Sequence, residues 1–402
     1  MSVREPITVK SDRRDGFWRR LTLGGILGLV VGCLWWVWNG ALNADEGFYL
    51  MSSVRVTEGL RPWSDFGFTQ MPLIAYANVI WLKIWGIDLV GIRLASLSWF
   101  MGTVLLGTLL LKRRHGWASA ALWVFLLLSA PVALDLMVKG KAYALAGLAV
   151  LGGQLVLMVA SRSRTAWACF LLAAAVGVGT RLPSIAFFGP AWIGMLVGCR
   201  TARVRLQVLI ATGAAAGVVF FALVGPDLES FWWWTVEFHR ESLVSGHVGR
   251  NWGTLSAFAL GVWLAGAGAV WLGRRSGTKL KWVWLPLVFA VMVNVLPGAG
   301  YVEYLTIFVP ALAALVAPAW AGMMHRTGSK AGWCMVFLGL ALLGGGAIAD
   351  PRGHGVARCR RGHSVTGAAF SAGFEDLSHF YRLFRSKHGM PPRRWLESLT
   401  PP

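Results

Sequence analysis

Charge is scarce in this chain, and negative charge is the scarcest. Charged residues make up 14% of 402, with 18 Asp and Glu against 38 Lys and Arg. A soluble domain carries about 25% charged residues, so the composition excludes an ordinary soluble globular protein. Cysteine is equally thin. Cys33, Cys169, Cys199 and Cys334 fall in or beside apolar runs and Cys359 stands alone in the tail, so neither a disulfide framework nor a cysteine metal knot is expected. The middles of the apolar runs are nearly free of acids, which argues against a transporter built on intramembrane carboxylates, and no inverted repeat is visible. Arg13, Arg14, Arg19 and Arg20 precede the first apolar run without an obvious small-residue cleavage site. A retained anchor is therefore expected rather than a removed signal peptide.

Apolar sequence is what the chain has in plenty: 56% hydrophobic residues and a mean hydropathy of +0.58. Runs of about 17 to 22 apolar residues recur, the length that crosses a bilayer as a helix. In lipid such segments must satisfy their own backbone groups and therefore be helical. The expected spans are 21–39, 89–111, 117–134, 142–160, 166–180, 184–198, 206–224, 254–272, 282–297, 304–320 and 331–349, about eleven crossings. Segment 71–87, broken by Pro72 and Lys83, reads as an interfacial helix or a lead-in to the second span. Long outer loops are expected at 40–70 and 225–253.

The net charge of +20 would suit a nucleic-acid binder, but its distribution points to a membrane. Lys112-Arg113-Arg114, Arg162 with Arg164, Arg200-Arg203-Arg205, Arg274-Arg275-Lys279-Lys281 and Arg326 with Lys330 fill alternate connections that hold no acid. The other connections carry nearly every acid between 40 and 350. This is the positive-inside pattern, with the acidic loops facing outward. Much of the tryptophan lies near span ends, as an anchoring belt does. Gly24, Gly28 and Gly32 form a small-residue stripe suited to close helix packing.

The first outer loop holds the most informative residues. Asp45 and Glu46 are adjacent in Asn43-Ala44-Asp45-Glu46-Gly47-Phe48-Tyr49. Downstream come Arg55, Gly59-Leu60-Arg61-Pro62-Trp63-Ser64-Asp65-Phe66, Gln70-Met71-Pro72-Leu73 and Tyr76. Two neighbouring carboxylates at a membrane surface are costly unless they bind a cation, take a proton or reach water. The pattern resembles the first outer loop of the GT-C membrane glycosyltransferases, in the protein-mannosyltransferase and aminoarabinose-transferase-like branch. The resemblance covers 20–115 in sequence and 116–350 in architecture. It implies a bacterial inner-membrane enzyme that moves a sugar from a polyprenyl-phosphate donor to a lipid, glycan or protein hydroxyl on the extracytoplasmic side.

The residues fit that chemistry on their own terms. Transfer to a hydroxyl needs a base at the acceptor and cationic help at the phosphate leaving group. Asp45 is the candidate base, with Glu46 beside it to steer a cation or hold the loop. Arg55, Arg61, Lys83, Lys139, Lys141 and Arg250 are outer-side cations able to balance a lipid phosphate. Asp65 is a further candidate or else a turn or helix cap. Arg181, beside Pro183, either touches the donor phosphate or snorkels to the interface. The family pattern often carries another acid near the next outer loop. Here Asp135 is shifted, and Lys139 and Lys141 stand where an acid would be expected. Glu303, in Tyr301-Val302-Glu303-Tyr304, also resembles a late outer-loop pattern but has no assigned role. No cofactor is firmly implied. His239 and His247 joining a carboxylate at a divalent metal stays open, although their spacing is not a ligand spacing.

Beyond residue 350 the chain turns polar and rich in Arg and His. Residues 362–398 resemble the second helix-turn-helix of AraC-type regulators, with Phe374, Leu377, Phe380 and Phe384 on one helical stripe. The resemblance implies that Ser378, His379 and Arg382 lie on a groove-reading helix. Against a working DNA reader, no first module precedes it, the piece buries little core, and eleven crossings put it outside. Nucleic acid is therefore not an expected partner; a fusion or junction near 350 or an amphipathic surface helix accounts for the tail.

The expectation is an all-α polytopic helical bundle with a cytoplasmic N-terminus at 1–20, a transmembrane domain at 21–349 and a polar, short helical tail at 350–402. Its expected activity is glycosyl transfer, and its partners are the lipid-linked sugar and membrane lipids. The alternatives are a membrane-tethered AraC-like regulator and a transporter.

Overall fold

A computed structural model describes residues 13–40, 43–159, 163–199, 201–225, 227–237, 285–290 and 302–327, together with Arg385 and Pro391. Among them the fold is all-α. No strand forms, and Pro62 and Phe66 make an isolated bridge. The helices are α1 (Arg13–Asn39), α2 (Ala44–Thr57), α3 (Leu73–Trp85), α4 (Leu89–Leu128), α5 (Pro131–Val138), α6 (Tyr143–Val159), α7 (Arg164–Thr180), α8 (Ile185–Val197), α9 (Ala202–Val224), α10 (Leu228–Trp232), α11 (Val302–Leu305) and α12 (Val309–Thr327). A further helical stretch lies at 285–290.

Three described stretches are long and apolar enough to cross a membrane: Asp15–Asn39, Leu89–Leu128 and Ala202–Leu223. Shorter apolar helices accompany them at Leu73–Trp85, Tyr143–Met158, Arg164–Thr180, Leu182–Val197 and Thr306–Gly322. The apolar window of α9 has no buried residue, the character of a helix facing lipid tails. The expected spans at 254–272 and 331–349, and most of 282–297, lie outside the described residues.

Helix α4 contains a sharp reversal. Its assignment runs unbroken, but Gly116 sits at φ 81 and ψ 175, backbone that a side-chain-bearing residue adopts only at a cost. The two limbs fold back on each other there. A Cβ on Gly107 would lie 2.4 Å from the Trp123 ring. The expected span 89–111 and the first part of 117–134 are thus the two limbs of a hairpin, with Lys112-Arg113-Arg114 at its tip; the span expected at 117–134 is broken after Leu128, and its last residues belong to α5. Trp123 is fully buried and donates its indole N–H to the Pro310 carbonyl at 3.1 Å, tying the second limb to α12.

Helix α1 buries Thr22, Gly25, Leu29, Cys33 and Val37, a helical stripe that lies against the hairpin. The tight contact is at Gly25, where a Cβ would stand 2.9 Å from Val124. Gly24, Gly28 and Gly32, expected to form the packing stripe, have no neighbour within 4 Å where a Cβ would be. They lie on the other face.

The first outer loop is more ordered than a loop. It opens with α2, and segment 71–87 folds into the separate helix α3, which ends at Gly86 with φ 103. Between them, Tyr49, Trp63, Phe66, Phe68, Met71 and Ile74 form a second apolar cluster with Ala142 and Leu145 of the bundle. Trp63 holds a rare positive φ of 73. Its buried indole N–H donates to the Phe68 carbonyl at 2.6 Å, which compensates that backbone. This cluster seats α2 on the membrane domain.

Candidate active site

The first turn of α2 sets the site. Asn43 caps the helix: its side-chain oxygen accepts the Asp45 backbone N–H at 3.0 Å, and the Glu46 carboxylate accepts the Asn43 backbone N–H at 2.9 Å. This capping box places two carboxylates at a helix N-terminus, where the dipole favours negative charge. Adjacent helical residues point about 100° apart, and here the difference decides their exposure. Asp45 is 52% exposed, while Glu46 is 0% exposed.

Glu46 faces inward onto Arg93 of α4. Arg93 donates from Nε to Oε1 at 2.7 Å and from Nη2 to Oε2 at 2.8 Å, a forked pair. Oε1 also accepts the Gly140 backbone N–H at 3.1 Å. Burial alone would push the Glu46 carboxyl upward, but the hydrogen bonds and charge of Arg93, with those from Asn43 and Gly140, outweigh it and hold the group below its ordinary range. Both oxygens are committed to donors inside the protein. The sequence sets Glu46 beside the candidate base Asp45, to steer a cation or hold the loop; the structure turns Glu46 into the core and leaves Asp45 at the surface of the site.

Asp45 pairs instead with Lys141, its Oδ2 standing 2.7 Å from an ammonium that is only 2% exposed. Lys141 enters from the short turn between α5 and α6, where the Ser96 hydroxyl donates to its carbonyl at 3.4 Å. Its ammonium lies 5.8 Å from the Tyr143 ring centre. On Tyr143 also rests Arg181, 4.3 Å from that ring and 4.6 Å from the ring of Tyr304, donating to the Tyr143 hydroxyl at 3.3 Å. Arg181 is 4% exposed, a cation held between two aromatic faces at the end of α7. Tyr49, buried, lies close to this group. Desolvation pushes its hydroxyl upward, with Arg181 and Lys141 pulling the other way. Three of the chain's six tyrosines converge here with two buried cations and one reachable carboxylate.

The remaining expected site residues sit elsewhere. Asp65 accepts the Arg61 backbone N–H at 2.7 Å and returns its own N–H to the Arg61 carbonyl at 3.0 Å; it closes the turn around Pro62 and Trp63. Arg61 is exposed on that turn. Arg55 lies over Phe66 at 5.6 Å, exposed at the end of α2. Lys83 is exposed on α3. Lys139 pairs with Asp135 one helical turn earlier, which accounts for the shifted acid. Arg250, His239, His247, Ser378, His379 and Arg382 lie outside the described residues, among which no group of three or more His, Cys, Asp or Glu could hold a metal.

Arg93 was missed because it stands inside an apolar run, where the eye reads span. The signal was nevertheless present. An ionisable residue within a membrane segment asks for a partner, and Asn43 with Glu46 three residues later is a capping-box spacing.

No curated protein matches the chain. A family model described as a helix-turn-helix domain matches residues 354–398. Two solved structures are similar over most of it: ArnT from Cupriavidus metallidurans in the apo state, and the same protein bound to undecaprenyl phosphate. Each has a TM-score of 0.53 and 18% identity, covering 80% of this chain and 63% of that one. The chain thus spans under two thirds of ArnT's length. At this identity the likeness is one of fold, and it agrees with the multispan all-α membrane architecture read from the apolar runs.

Proposed function

We propose that this chain is a membrane glycosyltransferase that moves a sugar from a polyprenyl-phosphate donor to a hydroxyl acceptor at the extracytoplasmic face. One observation carries the reading: a half-exposed carboxylate, Asp45, 2.7 Å from the buried ammonium of Lys141, with Arg181 held nearby between Tyr143 and Tyr304. An anionic lipid headgroup and an incoming alcohol need that combination. ArnT, whose fold this chain resembles, has been crystallised with undecaprenyl phosphate, which supports a lipid phosphate as the ligand class.

The step follows from the groups available. The acceptor oxygen forms a bond to the anomeric carbon while its proton passes to Asp45. The anomeric carbon–oxygen bond breaks, and its electron pair stays on the polyprenyl phosphate. Lys141 and Arg181 offset the negative charge that grows on the phosphate oxygens, an effect worth several kcal/mol in a dehydrated site, on the order of 3. A donor whose tail remains in lipid suits a site built between a juxtamembrane helix and membrane helices.

The test is direct: purified protein in lipid nanodiscs is incubated with a panel of polyprenyl-phosphate sugars and membrane-extract acceptors. Transfer from at least one donor is expected, and no turnover or phosphate-lipid binding with any of them would refute the proposal. A second reading, a membrane-tethered DNA-binding regulator, is favoured by the helix-turn-helix match at 354–398. A reporter fused to the C-terminus separates the two, since a regulator requires a cytoplasmic tail.

A further inference from the structure

The Glu46–Arg93 pair does more than join two helices. Arg93 reaches past Glu46 to the end of α1, donating from Nη1 to the Val37 carbonyl at 3.0 Å and the Gly40 carbonyl at 3.1 Å. Glu46 in turn holds the Asn43 N–H on one side and the Gly140 N–H on the other. One buried ion pair therefore fixes four pieces of chain at once: the last turn of α1, the first turn of α2, the outer end of α4, and the turn before α6. Asp45 is the residue before Glu46, and Lys141 is the residue after Gly140. The same carboxylate grips the backbone flanking both partners of the Asp45–Lys141 pair.

This arrangement has little slack. Gly140 is pressed against Ile92, where a Cβ would approach to 2.7 Å, so the turn cannot slide along α4. Glu46 is fully buried and Arg93 is 3% exposed, so water does not soften the forked contact. Arg93 meets the α1 carbonyls where a helix presents unpaired acceptors and partial negative charge.

We infer that Glu46 and Arg93 are positioning residues, whose buried pair sets the separation of Asp45 and Lys141 and so holds the base and the phosphate-balancing cation in register. The inference deepens the proposed transfer reaction and rests on it for its functional meaning, but its geometry is testable without any turnover. Both side chains are buried, Arg93 3% and Glu46 0% exposed, and face away from the solvent that a substrate would enter from. Loosening the pair lets α2 and the Lys139–Lys141 turn move independently, and the two reacting-side groups drift apart.

The experiment uses zero-length cross-linking of the full chain in nanodiscs. A water-soluble carbodiimide activates the half-exposed Asp45, and the Lys141 amine 2.7 Å away attacks it, forming an isopeptide bond while the carbodiimide leaves as its urea. Mass spectrometry reads the joined peptides. The Asp135–Lys139 pair, local to α5, serves as the internal standard. In Glu46→Gln the Asp45–Lys141 product is expected to fall at least tenfold against that standard. In Arg93→Lys, which keeps the charge but cannot fork and reach the α1 carbonyls together, it is expected to fall at least threefold. If Glu46→Gln fails to fold, as judged by its tryptophan fluorescence melt, Arg93→Lys decides the matter. An unchanged yield in a folded variant overturns the inference while leaving the proposed activity intact. A wild-type cross-link lost in the variants, in a protein that turns over no lipid-linked sugar, upholds the positioning role and sinks the proposed reaction instead. For a chain that does transfer sugar, the same variants are expected to lower kcat, counted per folded protein from the fluorescence melt, by about 30-fold or more with donor KM within about threefold.

Discussion

Replacing Arg93 with Met leaves the fully buried Glu46 facing an apolar side chain of comparable length. Breaking one partner of a buried ion pair costs about 3–5 kcal/mol, because the remaining charge stays buried without its counter-charge. The carbonyls of Val37 and Gly40 also lose a donor, adding about 1 kcal/mol each where no water reaches them. A total of about 5–7 kcal/mol is a large share of a typical stability. The pH dependence gives the reasoning a second handle. In the native chain the Glu46 carboxyl is held below its ordinary value, so it contributes stability above its unfolded value, lost as pH falls through the lower, folded one. In Arg93→Met the lowering contacts of Arg93 are gone while burial, the largest influence on this group, remains against the Asn43 and Gly140 backbone N–H groups, so protonation costs less stability and the defect eases in acid. The gap between variant and wild type should therefore be widest near pH 7.5 and narrow toward pH 4.5. Unfolding in mixed micelles of rising dodecyl sulfate, followed by tryptophan fluorescence, measures it at both pH values. Replacing both partners, as Arg93→Met with Glu46→Leu, should recover 1 kcal/mol or more of the loss. A single variant within about 1 kcal/mol of wild type, or a gap that widens in acid, would refute the account of this pair.

Other perturbations probe separate links. Gly116→Ala, at φ 81, should cost about 1–2 kcal/mol in the same unfolding assay, since only glycine takes that backbone without strain; a neutral result would remove the hairpin turn as drawn. Trp123→Phe loses the indole hydrogen bond to Pro310 and leaves space beside Gly107, and is expected to cost about 2–3 kcal/mol. Arg181→Lys keeps the charge but gives up the planar stacking on Tyr143 and Tyr304. It should weaken undecaprenyl-phosphate binding at least tenfold by microscale thermophoresis, and unaltered binding would exclude Arg181 from the phosphate site.

The architecture was legible wherever hydrophobic length alone carries the signal. The expected spans 184–198 and 206–224 meet α8 at Ile185–Val197 and α9 at Ala202–Val224, because a bilayer dictates both the length and the helical state of an apolar run. Helix α2 was not legible in that way. It is short, and Glu46, Ser52, Ser53 and Arg55 interrupt any apolar period, so its evidence was the capping spacing at its start. The site was legible in part. Asp45, Lys141 and Arg181 were named from the sequence and come together here, but the opposite fates of Asp45 and Glu46 depend on helical phase, which adjacency in a loop does not reveal. Arg93 shows the limit most plainly. Its partner Glu46 lies 47 residues from it along the chain and 94 residues from the Gly140 N–H that the same carboxylate accepts, and only the fold brings the three together.

The central claim is that Asp45 takes the proton of the acceptor alcohol. Single-turnover transfer from a polyprenyl-phosphate sugar, compared between wild type and Asp45→Asn at equal donor occupancy, measures it most directly. The account predicts a rate at least 1,000-fold lower in the asparagine variant, with donor binding retained and the protein still inserted. Transfer at an unchanged rate would contradict it.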